Sequence, residues 1–290
     1  MMMAKNVRIK PEEDWLSRKQ SATKQINRKL NIKHETYKHH STMAVPNKSL
    51  HSWFGIGSLS VMQASLRFII GLLLLPLVWI FMESLFKHIA SLNWQNSEIW
   101  LNPSVFYFMV GVVMAGTWFF TRVLEGVFLW LYVLGHELTH LVVAWALYGA
   151  KIKDFKVTRQ GGYVVMDKSN IWIALAPYFV PFWSLIVGLV WWLAMLAVDW
   201  RFGDAVGYGL MGMTSTFHLL WTLRILPLEQ PDIKENGSFF SLVLILVLNL
   251  LILITWFSFI FDSFELKDYL YYWQETFIMR MSNLGSWIGL

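Results

Sequence analysis

Apolar residues gather into six long runs, at 66–86, 105–124, 126–148, 171–198, 205–225 and 239–261, after a polar N-terminal stretch. A bilayer core of roughly 30 Å takes about 20 mostly apolar residues of helix, so each run has the length of a span. Between the third and fourth runs the pattern changes. Gly149 breaks the helical period, Ile152, Phe155 and Val157 recur as in a half-buried strand, Arg159-Gln160-Gly161-Gly162 reads as a turn, and 163–166 is rich in β-formers. The pattern predicts an all-α polytopic membrane protein of about six transmembrane helices, with a small β-hairpin between the third and fourth. The connection from the second to the third run is very short, and Arg122 with Glu125 stand at i,i+3 spacing, where they could pair. One of those two runs is therefore expected to be tilted or re-entrant.

Composition agrees. With 56% hydrophobic and 15% charged residues, the chain lies outside the balance of a water-soluble domain. Trp53, Trp94, Trp100, Trp172, Trp200 and Trp256 stand near the ends of the runs, where an amphipathic indole suits the headgroup layer. Charge is uneven. Residues 1–52 carry 11 of the 24 Lys and Arg against four acids, a net of +7 in a chain whose total is +5. This basic tail is expected to be largely disordered and to act as a topology anchor, or as a patch for anionic lipid; no specific nucleic-acid partner is expected. No short apolar segment near the start reads as a cleavable signal peptide. The absence of cysteine excludes disulfides, thiolate metal sites and a cysteine nucleophile. Any metal must be held by His, Asp, Glu or backbone oxygen.

Inside the third run the chain reads Leu134-Gly135-His136-Glu137-Leu138-Thr139-His140-Leu141. On a helix, residues i and i+4 share a face, so both imidazoles can hold one Zn²⁺, with Glu137 beside it as a base for water. Three ionisable groups in one turn of a membrane helix are costly, and such groups are functional by default. The competing reading is a hydrogen-bonded histidine cluster, or a site that has lost its metal. The hairpin beyond the helix could capture an extended substrate on its free edge through Gly161, Gly162 and Tyr163, or could be a plain surface hairpin. His218, in the fifth run, stands at a depth comparable to the two histidines and is a candidate third ligand; a lone histidine on an apolar helix is more often a packing residue.

The order of a helix bearing His136-Glu137-Leu138-Thr139-His140, a hairpin with Gly161-Gly162 and a span carrying Ala176-Pro177 resembles the core of the site-2 protease family of intramembrane zinc metalloproteases. That family has a third motif, roughly N-x-L-P-x-x-P-x-D-G, whose Asp is a zinc ligand. Residues 224–233 can be laid on it with Leu226, Pro227 and Asp232 in register, while Arg224 replaces the Asn, Pro231 falls one place late and Ile233 replaces the Gly. The resemblance covers about residues 126–261 and marks the chain as a divergent member. It implies one Zn²⁺ held by His136, His140 and Asp232, with Glu137 catalytic and His218 as the rival third ligand. If Asp232 binds the metal, His218 is left as a supporting group or an oxyanion donor. The implied activity is hydrolysis of peptide bonds in or near the transmembrane segments of membrane-protein substrates; the alternative is an inactive member of the same fold serving as a binding or chaperone module.

The domain plan that follows is a tail at 1–52, two N-terminal transmembrane helices within 53–125, the metalloprotease core at 126–261 and an interfacial segment at 262–290. The expected location is a multi-pass position in the cell membrane. Orientation signals conflict. Six spans with the tail inside put the hairpin outside, yet residues 151–168 hold five Lys or Arg against two Asp, which favours the cytoplasm. Other intramembrane chemistries fit poorly: there is no Gly-x-Ser-Gly turn for a serine nucleophile, Asp204 has no evident partner for an aspartyl pair, and no internal repeat suggests a transporter.

Overall fold

The computed structural model describes residues 60–92, 101–159, 161–228 and 230–287. The basic tail, Trp53, Trp94, Trp100 and Gln160 lie outside them. Helix α1 (Val61–Ser91) begins with a capping box: Gln63 N–H donates to Ser60 Oγ, and Ser60 N–H donates to Gln63 Oε1. Thirty-one residues at 1.5 Å each give about 46 Å, longer than a bilayer core. Helix α9 (Leu266–Trp287) lies along the C-terminal half of α1, fastened by Lys87 Nζ donating to Thr276 Oγ1 at 3.0 Å and Arg280 Nη2 meeting Glu83 Oε2 at 2.7 Å.

Helices α2 (Pro103–Thr121) and α3 (Glu125–Tyr148) meet at a three-residue link in which Arg122 and Leu124 both take left-handed backbone angles. Arg122 does not form the i,i+3 pair that its spacing suggested. Glu125 is instead engaged by Arg224 from another helix, because the left-handed turn at Arg122 breaks the helical frame that such a pair requires. Gly149, also left-handed, ends α3. Strand β1 (Ile152–Thr158) pairs antiparallel with β2 (Gly161–Met166), with Phe155 opposite Val164 and Val157 opposite Gly162, and a bulge falls between Ile152 and Asp154. Val164 and Met166 bury against Ala144 of α3, so the hairpin is packed onto the end of that helix.

The fourth run is not one straight helix. It divides into α4 (Ile171–Leu175) with a 3₁₀ turn (Ala176–Tyr178), then α5 (Phe182–Ala197), bent by 76°. Pro177 and Pro181 remove two backbone donors there. One freed carbonyl, that of Tyr178, accepts from Asn249 Nδ2 at 3.0 Å, as irregular backbone within a membrane requires. Helix α6 (Gly203–Ile225) is followed by the short α7 (Pro231–Glu235) and by α8 (Ser238–Ile260).

Among the described residues, four helices, α1, α2, α3 and α8, are long and apolar enough to cross a membrane, or five if the bent α4–α5 pair counts as one span. The expected fifth run does form α6, but it falls short of that apolarity, for a packing reason. Glycines and small polar residues fill it, and they let its backbone approach α2 closely: a Cβ added to Gly111 would stand 1.9 Å from the Gly209 carbonyl, and one added to Gly212 would stand 2.1 Å from that of Phe108. Large apolar side chains turn outward on the remaining helices, with Leu73, Phe120 and Leu147 each more than 70% exposed. Such surface suits lipid and not water. Of the largest fully buried residues, Tyr178 and Ile173 touch the polar site, while Phe264 lies in a separate cluster with Leu85 and Val105.

Candidate metal centre

Helix α3 carries His136, Glu137 and His140 on its inner side, and Glu137 and His140 are only 5% and 6% exposed. Two neighbours set this turn. Gly135 gives way to the Trp183 indole, because a Cβ there would stand 2.6 Å from Trp183 Nε1, and that nitrogen donates to the Leu131 carbonyl at 3.1 Å. Thr139 turns its hydroxyl back to the Gly135 carbonyl at 2.7 Å, which hides a polar group inside the helix.

Asp232 reaches the same place from the far side. Helix α6 ends at Ile225, the chain turns past Pro227, and Pro231 opens α7 at a position where a proline lacks no needed donor. Asn236 secures the turn by donating from Nδ2 to the Asp232 carbonyl at 2.8 Å, and Arg67 Nη1 of α1 donates to Asn236 Oδ1 at 3.0 Å. Asp232 Oδ2 then lies 3.5 Å from His136 Nε2 and 3.4 Å from His140 Nε2. One donor atom from each of the three residues falls within 4.8 Å of the others. They are close enough to hold a metal ion.

The spacing is compatible with a shared metal ion. Charge-assisted hydrogen bonds run to about 2.7–2.9 Å, shorter than either contact to Asp232. Ligands bound to zinc at about 2.0–2.1 Å in a tetrahedron stand about 3.3–3.4 Å from one another, close to the two contacts of Asp232, while the three donor atoms together lie within 4.8 Å. The surroundings agree with ligation. His140 Nδ1 lies 2.8 Å from the Ile173 carbonyl, a contact that as an N–H donation orients the ring with Nε2 toward Asp232. The Tyr178 hydroxyl donates to Asp232 Oδ2 at 3.1 Å, orienting the carboxylate while leaving lone pairs for a cation. Two imidazoles and a carboxylate, with no thiolate, are a donor set that zinc accepts.

Glu137 is walled by the hairpin. A Cβ on Gly162 would lie 2.6 Å from Glu137 Cγ and 2.9 Å from its Oε1, so β2 is pressed onto this carboxylate and only glycine fits. Gly161 has φ +141°, a region open mainly to glycine, and closes the hairpin turn. Tyr163 alternates to the other face. Its hydroxyl donates to Asp154 Oδ2 at 2.9 Å, and that hydrogen bond raises its pKa above the usual tyrosine value. Among the sequence candidates for the substrate edge, Gly162 therefore touches the site and Tyr163 does not face it. The described sheet has two strands, so β2 has one edge paired to β1 and one that no other strand covers among the described residues.

His218, the rival ligand, is not part of the three-residue donor group. It lines a small cavity of about 10 Å³ beside His136, shared with Tyr132, Trp183 and Phe217, and its Nε2 is buried with no hydrogen-bond partner among the described residues. The space is on the order of one water molecule. Tyr178, the Ile173 carbonyl and Trp183 are the parts of the site that sequence reasoning missed. Pro177 and Pro181 signalled a break near Tyr178, but no local pattern tells that its hydroxyl ends on Asp232.

Fold and site together define a helical membrane-type protein with a buried His–His–Asp donor cluster and an adjacent glutamate. No protein-family model matches the chain, and no curated protein or solved structure is significantly similar to it.

Proposed function

We propose that the chain is an intramembrane zinc endopeptidase, a divergent relative of the site-2 proteases, acting on membrane-protein segments that can unwind. The observation that carries this reading is the meeting of His136, His140 and Asp232 donor atoms beside Glu137, in a helix apolar enough to span a membrane. The order of motifs along the chain supports it. When bound, Zn²⁺ polarises a carbonyl and lowers the pKa of water toward about 7.

The chain's own residues then have distinct tasks. His136 and His140 present Nε2 atoms, and Asp232 presents Oδ2, as a preset cage. Tyr178 and the Ile173 carbonyl hold that cage in register. Glu137, pressed by Gly162, is placed to accept a proton from water on a carboxylate oxygen and to pass it to the leaving amine. The edge of β2 that no strand covers among the described residues lies beside Glu137, where an extended peptide laid along it brings its bond next to that carboxylate. His218 lines the small cavity at His136 and has a buried Nε2 with no hydrogen-bond partner among the described residues; it serves there as a donor to a carbonyl oxygen that gains charge.

The test is purification in detergent with metal analysis and a membrane-peptide cleavage assay. One zinc per chain is expected, and Glu137→Gln should keep it while losing about 10²–10⁴-fold in hydrolysis. An empty site, or full activity in that variant, would hand the protein to the reading of a binding or chaperone module.

A further inference from the structure

A second, larger cavity adjoins the metal centre. It measures about 130 Å³ and lies between α2, α3, α5 and α6, with Phe128, Leu131, Val187 and Leu220 in its wall. Trp183 and Phe217 line both this cavity and the small one at His136. They form a shared partition, and Trp183 is locked in it by its bond to the Leu131 carbonyl and its seat on Gly135. Arg224 also lines the larger cavity, paired with Glu125 and lying over the Trp221 ring at 5.0 Å.

We infer that this cavity is the specificity pocket of the peptidase, taking one phenyl- or isobutyl-sized side chain of the substrate a short distance from the cleaved bond. The inference rests on the proposed peptidase reading. Size selects the occupant: an apolar cavity of about 150 Å³ takes a benzene ring, and this one, at about 130 Å³, is of that order. Position selects the subsite. Phe128 and Leu131 lie eight and five residues before His136 on α3, about 8–12 Å at 1.5 Å per residue. An extended peptide advances about 3.3 Å per residue, so the pocket receives the side chain two or three residues from the cleaved bond. A substrate strand held along β2 keeps its backbone at Glu137 while that side chain reaches along α3 toward Leu131 and Phe128.

The probe is a set of fluorescence-quenched peptides of Ala, Ser and Gly in detergent, each bearing a single Phe walked through the sequence, with a Phe-free peptide as reference. Zinc-loaded wild-type protein should cut bonds two or three residues from the Phe at least tenfold faster than the reference, within the range of about 10–200-fold that one apolar group supplies. Val187→Trp, and as a milder filler Leu220→Phe, should hold wild-type zinc while that ratio falls toward one. Cleavage without a preference for Phe at that distance overturns the pocket and leaves the peptidase reading in place. The same holds if the preference persists undiminished in both zinc-loaded filler variants. No cleavage of any peptide by zinc-loaded wild-type protein overturns both.

Discussion

Asp232 is held at four points: the Tyr178 hydroxyl, the two histidine rings, and Asn236 on its own carbonyl. Removing it leaves two imidazoles, too few for a tight site, so Asp232→Ala should lose the zinc on dialysis while His218→Ala retains most of it; metal content read by atomic emission decides between them. Tyr178→Phe removes only the orienting bond, and a loss of about 10–100-fold in zinc affinity is expected, read by chelator competition. His136, Glu137 and His140 were legible in the sequence because one turn of helix fixes their relations. Asp232 was legible only through a resemblance to a motif, since 92 positions separate it from His140 and no periodicity spans that gap. Tyr178 and the Ile173 carbonyl were not legible, because what they contact depends on how a broken span folds back.

At the scale of elements, close backbone contacts do what side chains do elsewhere. Helices α2 and α6 touch through Gly111, Gly209 and Gly212. A methyl group cannot enter there without parting them, so Gly111→Ala should destabilise by about 1–3 kcal/mol, seen as a lower midpoint in detergent unfolding, and Gly116→Ala, which meets open space, should not. Gly162→Ala strikes the Glu137 side chain and the Lys156 carbonyl at once. Hydrolysis should fall at least tenfold with zinc content preserved, because what shifts is the proton acceptor and not the ligands. The helices and the hairpin followed from hydropathy and turn residues. The bend was half-announced by its prolines, and α6 forms where the fifth run was expected, its glycines and small polar residues leaving it less apolar than the other spans.

For the whole molecule, three span-length helices, α1, α2 and α3, come before the hairpin. If each crosses, the start of α1 and the hairpin lie on opposite faces. The chain has no cysteine, so single substitutions Val61→Cys and Lys153→Cys should react with an impermeant maleimide from opposite sides of sealed vesicles; labelling from one side would make one of the three re-entrant. Deleting residues 2–48 should leave hydrolysis intact and weaken insertion or orientation, read by fractionation and protease protection. Arg67, near the start of α1, grips Asn236, which in turn steadies the backbone of Asp232. The first helix thereby steadies Asp232 from a distance. On the proposed reading, a trimmed version starting at α3 would keep His136, Glu137, His140 and Asp232 yet should leak zinc, so efforts to make a minimal fragment will have to carry the N-terminal pair along.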